Sequence, residues 1–492
     1  MRHQIFTFSL LFGLFISANG SSNTPLVHTA SGILQGFSPY PNVNAYLGIP
    51  YALPPVGNLR FAPPRPIVPN SSTILDATQN SAGCYQVMYL SPFADKSSGP
   101  AESEDCLSIN IWAPAQKTSP LPVLIWLYGG GFGSGANSLQ IYNGVRFVAE
   151  QNDVMLVAIN YRVNIFGFPN SPAIKVKNPG LLDQRLAIEW IRDNIRAFGG
   201  DPTRMTLLGH SAGAISIALY SYQYVDDPIV SAFAEISGQP PLIPSDTGVS
   251  WKMVVNSTGC AENGNADEQL ACLKTVPPRD LKRNISVSNL LSYSSGNVNG
   301  GVPVTDNVTL LPLSEYYARG AAGQFAKLPL LATNTLNEAD ITVPFDPVTG
   351  INYTESDFIT QEAFHCPVAA TTGFWASHNL PVYRYLYSGT FPEISAYPWI
   401  RAYHGADIQL LFASEDDFAY QELGTAVQQA GVYLRSAVAA FVRDPVEGLA
   451  NYGWPKYTGQ GNTLVNLFAN NTPIATFDSV EAYDQSCQIA SG

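Results

Sequence analysis

The segment FGGDPTRMTLLGHSAG, residues 198–213, contains the end of a helix, a short buried strand and a Gly-x-Ser-x-Gly turn that presents Ser211. A serine hydroxyl is a weak nucleophile, and a sharp strand-to-helix turn is one way to aim it at a substrate. Gly209 and Gly213 allow the tight packing that side chains would block at such a turn. The segment therefore predicts acyl transfer at Ser211, with a plain strand-turn-helix corner as the alternative for so short a motif.

Short and almost uninterrupted apolar runs lie on both sides of this segment, at residues 123–127, 154–159, 205–208, 328–332 and 382–386. Such runs are typical of strands buried on both faces. Helical patterns lie between them, the clearest over 183–198, where Ala187, Ile191 and Ile195 recur at helical spacing and two glycines end the helix. The alternation predicts an α/β fold with a large, mostly parallel sheet and helices on both faces.

Two stretches, 91–104 and 286–301, are rich in Ser, Gly, Asn and Pro, and they are predicted to be long surface loops inserted in the fold. No internal repeat or linker divides the chain, so residues 21–492 are predicted to form one domain.

The charge balance argues against a nucleic-acid partner. The chain of 492 residues has 25 Lys and Arg against 38 Asp and Glu, a net charge of −13. Nucleic-acid binding needs a basic surface, and the sequence contains no run of basic residues. The 46% of hydrophobic residues can build a large core.

The first twenty residues have the pattern of a secretion signal. Arg2 precedes an apolar run over 5–16, and small residues follow at 18–20. A membrane anchor is the weaker alternative, because a bilayer span requires about 20 apolar residues. We therefore expect residues 1–20 to be cleaved, and the mature protein to be secreted without stable membrane insertion.

An even number of cysteines fits a secreted protein with disulfide bonds. Their pairing is open at this level, and the six positions are Cys84, Cys106, Cys260, Cys272, Cys366 and Cys487. Six Asn-x-Ser/Thr sequons predict glycosylation, and they lie at Asn70, Asn256, Asn284, Asn307, Asn352 and Asn470.

A second glycine-rich run, YGGGF at residues 128–132, directly follows the apolar run 123–127. Glycines let backbone N–H groups approach a substrate oxygen without a Cβ in the way, as an oxyanion hole requires. A flexible turn is the alternative. Together with the serine turn, the run predicts that the N–H groups of Gly130, Gly131 and Ala212 stabilise an oxyanion.

Longer motifs resemble the type-B carboxylesterase family, which includes cholinesterases and some fungal lipases. They lie in the family's order over nearly all of the chain after residue 20, and they are GIPYA (48–52), PPVG (54–57), LRF (59–61), EDCLSINIW (104–112), NYR (160–162), GLLDQR (180–185), the serine segment and WPKY (454–457). The resemblance implies the α/β-hydrolase fold and hydrolysis of carboxylic esters.

That fold orders its catalytic triad as serine, acid and histidine along the chain. By resemblance, His404 in YHGAD (403–407) is the histidine, and His365 and His378 are the alternatives. Glu338 in NTLNEA (334–339) lies at the family's acid position, with Asp340 as a rival. The chain departs from the family after the acid, where Ala339 replaces the usual glycine. The expected triad is Ser211, Glu338 and His404, which needs neither metal nor cofactor.

The resemblance also implies structural roles. Arg60 should pair with Glu104 and Arg162 with Asp183, and Ser237 either supports the acid and the histidine or forms a simple strand-end turn. The implied disulfides are Cys84–Cys106, Cys260–Cys272 and Cys366–Cys487.

Two features bear on the substrate, which is expected to be a small ester. His210 precedes the nucleophile where cholinesterases have Glu, either as a polar neighbour that tunes the site or as a packed turn residue. The Cys84–Cys106 loop has no tryptophan, which disfavours choline esters, and it is short and polar between Ala94 and Glu104, which favours soluble esters. A triacylglycerol lipase and a catalytically silent binding module remain as alternatives.

Overall fold

The structure is a computed structural model that describes residues 24–69, 72–87, 99–243, 246–283 and 301–487. Within these residues, the central sheet has eleven strands. From one edge to the other they are Ala475–Asp478, Leu464–Leu467, Val382–Tyr387, Leu330–Thr335, Ala232–Ile236, Gly200–His210, Leu121–Leu127, Met155–Ile159, Ser108–Pro114, Val43–Pro50 and Phe37–Tyr40. The neighbours from Leu464–Leu467 to Met155–Ile159 all pair in parallel, and antiparallel strands complete both edges.

Each central strand is buried on both faces because a separate hydrophobic core lies on each side of the sheet. In Leu121–Leu127, Val123 and Ile125 point into one core, and Leu124 and Trp126 point into the other. This alternation follows from the two-residue period of a strand. It explains why the strand reads as a continuous apolar run.

Helices cover both faces. Pro179–Asn194 contributes Ile188 and Ile191 to the first core, and Thr425–Arg443 contributes Leu434 to the second. The other α-helices of the described residues are Val145–Gln151, Asn164–Gly167, Ala212–Gln223, Val249–Ser257, Ala266–Thr275, Pro278–Arg283, Leu313–Ala321, Tyr353–Ile359, Cys366–Ser377, Ala406–Leu411, Glu415–Phe418, Gly448–Tyr452 and Val480–Asp484. Short 3₁₀ turns connect several of them, and a π-helical turn, Thr360–His365, joins two helices directly.

The predicted α/β architecture is confirmed. All five apolar runs overlap strands of the sheet, and the predicted helix is observed as Pro179–Asn194 followed by the 3₁₀ turn Ile195–Phe198. Gly199, with φ 91°, ends it. The signal at 1–20 and most of the two loops at 91–104 and 286–301 lie outside the described residues, so those interpretations stay predictions. None of the described helices is both long and apolar enough to cross a bilayer.

Small sheets and covalent links surround the central sheet. One small sheet joins Leu26–Thr29, Gly32–Gln35 and Ile74–Asp76, and two strand pairs form between Gly83–Cys84 and Glu102–Ser103 and between Phe345–Asp346 and Gly350–Ile351. The six cysteines form the disulfides Cys84–Cys106, Cys260–Cys272 and Cys366–Cys487.

Two buried ion pairs brace the loops beside the sheet. Arg60 Nε lies 2.6 Å from Glu104 Oε1, and its guanidinium also donates to the carbonyl oxygen of Leu273. Arg162 Nη2 lies 2.6 Å from Asp183 Oδ1. Both pairs lie where the resemblance placed them, and both carboxylates are held by two guanidinium nitrogens, the geometry that arginine favours.

Candidate active site

Ser211 occupies a strained backbone position between strand Gly200–His210 and helix Ala212–Gln223. Its φ of 54° lies in the left-handed region, which is unfavourable for a residue with a side chain. The turn is held by the Ser211 N–H, which donates to the carbonyl oxygen of Ile236 at 2.8 Å. A Cβ on Gly209 would lie 2.5 Å from the backbone of Gly213, so these glycines are required for the packing of the turn. Strain of this kind is typical of a nucleophile aimed out of a sheet.

The glycine run lies against this turn. An added Cβ on Gly129 would lie 2.9 Å from Ser211 Cβ, which shows how closely the two segments approach. Gly130 and Gly131, with φ 112° and 60°, line the same cavity as Ser211. Ala212 is the first residue of its helix, where an N–H has no acceptor within the helix. The three predicted oxyanion donors therefore come from segments that meet beside Ser211.

Glu338 and His404 are in direct contact, although 66 residues separate them. His404 Nδ1 lies 2.6 Å from Glu338 Oε2, and the backbone N–H of Thr335 donates to Glu338 Oε1 at 2.6 Å. The Glu338 side chain is fully buried, which fixes the orientation of both oxygens. The nearby π-helical turn supports this pair, since Thr360 Oγ1 accepts the N–H of Ala339 at 3.0 Å and the ring of Phe364 lies 5.2 Å from that of His404.

The rival residues have other partners. Asp340 accepts hydrogen bonds from Ser356 Oγ and from the guanidinium of Arg401. His365 Nε2 lies 2.9 Å from Asp484 Oδ1, next to the disulfide at Cys366, and His378 Nδ1 lies 2.9 Å from the carbonyl oxygen of Phe374. None of these three rivals lines the cavity that contains Ser211.

Ser211 and His404 line one cavity of about 720 Å³ at the carboxyl ends of the parallel strands. That edge is where ligands bind in open α/β sheets. In the described part of the chain the Ser211 hydroxyl makes no hydrogen bond to His404, and such contacts often tighten only when substrate binds. Another cavity, of about 550 Å³, borders Trp251 and contains none of the predicted catalytic residues.

His210 packs against the catalytic histidine candidate. The two ring centroids are 4.5 Å apart, and Gly405 lies against the His210 ring. Burial and the neighbouring His404 hold the pKa of His210 well below its usual value, so the ring is neutral. Its Nε2 has no partner among the described residues. The His210 side chain is therefore packed in the turn and also lines the cavity, and its role in tuning the site stays a prediction.

Ser237 lies at the end of strand Ala232–Ile236, with φ 55°. Its N–H donates to the carbonyl oxygen of Thr333, and its buried hydroxyl has no hydrogen-bond partner within the described residues. The next residue, Gly238, packs on the carbonyl oxygen of Ser211. The segment that contains Ser237 therefore lies against the serine turn through Gly238, and a supporting role for the Ser237 hydroxyl stays a prediction.

Most of the other lining residues of the cavity lie outside the motifs, although Tyr85, Gln86 and Glu102 belong to the Cys84–Cys106 loop. Arg279 and Lys282 add further polar groups to this part of the lining, called here the polar wall. The apolar lining residues include Leu139, Ile141, Ile341, Ile408 and Phe418. Among the described residues, Gly129, Tyr403 and Gly405 also line the cavity and lie within the motifs.

A buried carboxyl group, Asp407, lies close to the Glu338 and His404 pair. Tyr385 donates its hydroxyl to Asp407 Oδ2 at 3.0 Å. Burial, together with the charge of Glu338, raises the pKa of Asp407 to about 6. This carboxyl group thus adds a second acid to the electrostatic surroundings of the site.

Comparison with known proteins gives consistent matches. The family model described as Carboxylesterase family matches residues 23–355. A chlorogenic acid esterase of Aspergillus niger is 34% identical over 94% of this chain and 94% of its own length. Secreted lipase 5 of Gibberella zeae is 32% identical over 94% of both chains, and an acetylcholinesterase of Bungarus fasciatus is 30% identical over 93% of this chain and 84% of its own.

Proposed function

Because the chain belongs to the carboxylesterase family and is a carboxylic ester hydrolase with the α/β-hydrolase fold, we propose that it cleaves small esters through Ser211, Glu338 and His404. The contact between His404 Nδ1 and Glu338 Oε2 carries this proposal, because it forms on the wall of the cavity that also contains Ser211. A buried carboxylate against one imidazole nitrogen leaves the other nitrogen free to accept a proton.

In the proposed reaction, Ser211 Oγ bonds to the ester carbonyl carbon while His404 accepts the hydroxyl proton. Glu338 holds the proton on Nδ1 and stabilises the imidazolium, and the N–H groups of Gly130, Gly131 and Ala212 bind the oxyanion. When the carbon–oxygen bond breaks, His404 gives its proton to the leaving alcohol. Water then attacks the acyl-enzyme by the same steps and releases the acid.

We also propose that the protein is a secreted glycoprotein. Four sequon asparagines, Asn256, Asn307, Asn352 and Asn470, are exposed, as glycosylation requires. Asn70 and Asn284 lie outside the described residues. Two relatives come from fungi, and the name of one says that it is secreted. Mass spectrometry of the protein from the culture medium of a eukaryotic host tests both points, and an unmodified protein retained inside the cells would contradict them.

Labelling with an organophosphate tests the nucleophile. We expect one adduct per chain, on the peptide that contains Ser211, and no adduct on folded Ser211→Ala. That variant should lose about 10⁵-fold or more in kcat toward a simple aryl ester. Ser211→Ala with wild-type turnover would refute the proposal, and a folded wild type that forms no adduct would favour a binding module.

A lipase is the second candidate, because one relative is named a lipase and several lining residues of the cavity are apolar. A lipase would show a rate increase when a glyceride ester passes its solubility limit. A smooth saturation curve through that limit would support an esterase for soluble substrates.

A further inference from the structure

Among the described residues, three side chains with formal charges line the catalytic cavity: Glu102, Arg279 and Lys282. Lys282 Nζ lies 2.7 Å from both carboxylate oxygens of Glu102, so these two charges offset one another. Arg279 lies on the same short helix, Pro278–Arg283, and it is exposed while it lines the cavity. In the described part of the chain it forms no ion pair. Among the described residues, the cavity therefore has one positive charge without an ion-pair partner, on a protein whose net charge is −13.

The polar wall around Arg279 is joined to the glycine-rich loop. Gln86 accepts the N–H of Gly135 at 3.0 Å, and its own N–H donates to Glu102 Oε1 at 3.2 Å. Glu102 in turn holds Lys282. These contacts fix the helix that carries Arg279 relative to the predicted oxyanion donors. The helix thus places the Arg279 guanidinium at the cavity, and a guanidinium can bind a carboxylate through two parallel hydrogen bonds.

Other lining residues differ in chemistry. Leu139, Ile141 and Phe418 also line the cavity, and their two segments meet where Gln140 Nε2 donates to Asp417 Oδ2 at 3.4 Å. These residues offer contact to an apolar or aromatic group. A substrate that contacts both them and Arg279 has an apolar part and an anionic part.

On the basis of the proposed hydrolase function, we propose that the preferred substrates are esters that carry a free carboxylate, and that Arg279 binds this carboxylate. The rest of the protein is acidic and repels anions, so the local charge of Arg279 determines whether such an ester enters the cavity. Arg279 acts in substrate specificity and takes no part in proton transfer.

Two matched pairs of substrates test the proposal. Para-nitrophenyl hydrogen glutarate and its methyl ester differ only by a carboxylate in the acyl group. Para-acetoxybenzoate and its methyl ester differ only by a carboxylate in the alcohol group. For each pair, kcat/KM of the charged ester is divided by kcat/KM of the neutral ester. Comparing this ratio between wild type and variant removes any change in catalysis that affects both esters equally.

For at least one pair, we expect Arg279→Gln to lower this ratio about tenfold at low salt, with the neutral ester unchanged. Arg279→Lys should keep most of the preference, and added salt should reduce the preference of the wild type. Arg283→Gln is the matched control, since Arg283 lies on the same helix, pairs with Asp280 at 3.5 Å and does not line the cavity.

An equal loss for charged and neutral esters in Arg279→Gln, or no loss for either, would overturn the role of Arg279. An equal effect of Arg283→Gln would also overturn it, because the effect would then come from net charge alone. If the wild type hydrolysed none of the four esters but formed the organophosphate adduct on Ser211, this inference alone would fail, and if it also formed no adduct, the proposed role of Ser211 would fail with it.

Discussion

Replacing Glu338 by glutamine tests the pair that supports the proposed reaction. Glu338 accepts two hydrogen bonds, from His404 Nδ1 and from the backbone N–H of Thr335, each at 2.6 Å. Glutamine has nearly the same shape but only one acceptor oxygen, and its NH₂ group donates. It can therefore satisfy only one of the two donors that face the native carboxylate.

The effect of Glu338→Gln on kcat and on stability depends on which of the two hydrogen bonds the glutamine side chain keeps. If the glutamine oxygen accepts the Thr335 N–H, the glutamine NH₂ group faces His404 Nδ1. That contact favours the tautomer with the proton on Nε2, and a protonated Nε2 cannot accept the proton of Ser211. The corresponding Asp→Asn change in a serine protease lowers kcat about 10⁴-fold, or about 5 kcal/mol. If the amide turns over, the buried N–H of Thr335 loses its acceptor, and stability falls by about 1–3 kcal/mol.

The assay compares kcat toward a neutral aryl ester with the free energy of unfolding. We expect Glu338→Gln to lose about 10³ to 10⁴-fold in kcat while circular dichroism shows a folded protein. The control is Asp340→Asn, which weakens a buried contact to Arg401 and should lower stability with a loss of less than about tenfold in kcat. If Glu338→Gln kept kcat within about tenfold of the wild type and also kept its stability, or if Asp340→Asn were the slower variant, the assignment of the acid would be wrong.

Three further changes test the predicted oxyanion donors, the disulfide Cys366–Cys487 and the buried acid Glu235. Gly130→Ala places a Cβ 2.7 Å from Ser134 Oγ at φ 112°, so we expect about a 10²-fold loss in kcat from displaced N–H groups, measured with the same ester. Replacing Cys366 and Cys487 together by serine opens a loop of 121 residues and should lower the free energy of unfolding by about 4–5 kcal/mol in denaturant titrations. Burial raises the pKa of Glu235 to about 8, so the native state binds its proton more tightly than the unfolded chain, and stability falls as the pH rises. Glu235→Gln should remove this fall, on the order of 3–4 kcal/mol between about pH 5 and pH 8.

Each of these expectations has a contradicting result. Unchanged kcat in Gly130→Ala would exclude that N–H group from the oxyanion hole. A double cysteine variant as stable as the wild type would mean that the disulfide does not constrain the unfolded chain. A Glu235→Gln protein that still loses the same stability with rising pH would place the titrating group elsewhere.

The sequence predicted the central strands because burial on both faces requires continuous apolar runs. It was less accurate where a buried strand is polar. The run at 328–332 predicted a strand that is observed as Leu330–Thr335, whose last three residues are polar. These residues are buried beside the predicted catalytic acid, and the N–H of Thr335 holds the Glu338 carboxylate. Hydrophobic periodicity cannot detect a strand end that is adapted to hold a carboxylate.

The predicted site residues that follow strands were identified through motifs, whereas the cavity walls were not. Arg279 lies on a short helix far from any motif, and Phe418 is the last residue of helix Glu415–Phe418. Their proximity to Ser211 depends on how loops pack across the sheet, which residue spacing does not encode. Substrate preference is therefore the property that most needs the structure.

The helical segment that contains the π-helical turn Thr360–His365 makes contacts at both of its ends, and these contacts depend on its number of residues. Thr360 bonds to the backbone beside Glu338, Phe364 covers the His404 ring, and Cys366 is tied to Cys487. A chain one residue shorter here would form a regular α-helix, and Phe364 would rotate about 100° around the helix axis. Deletions and insertions in this outer helix would thus disturb the imidazole more than most substitutions on its surface, so a designer of variants should keep its residue count constant.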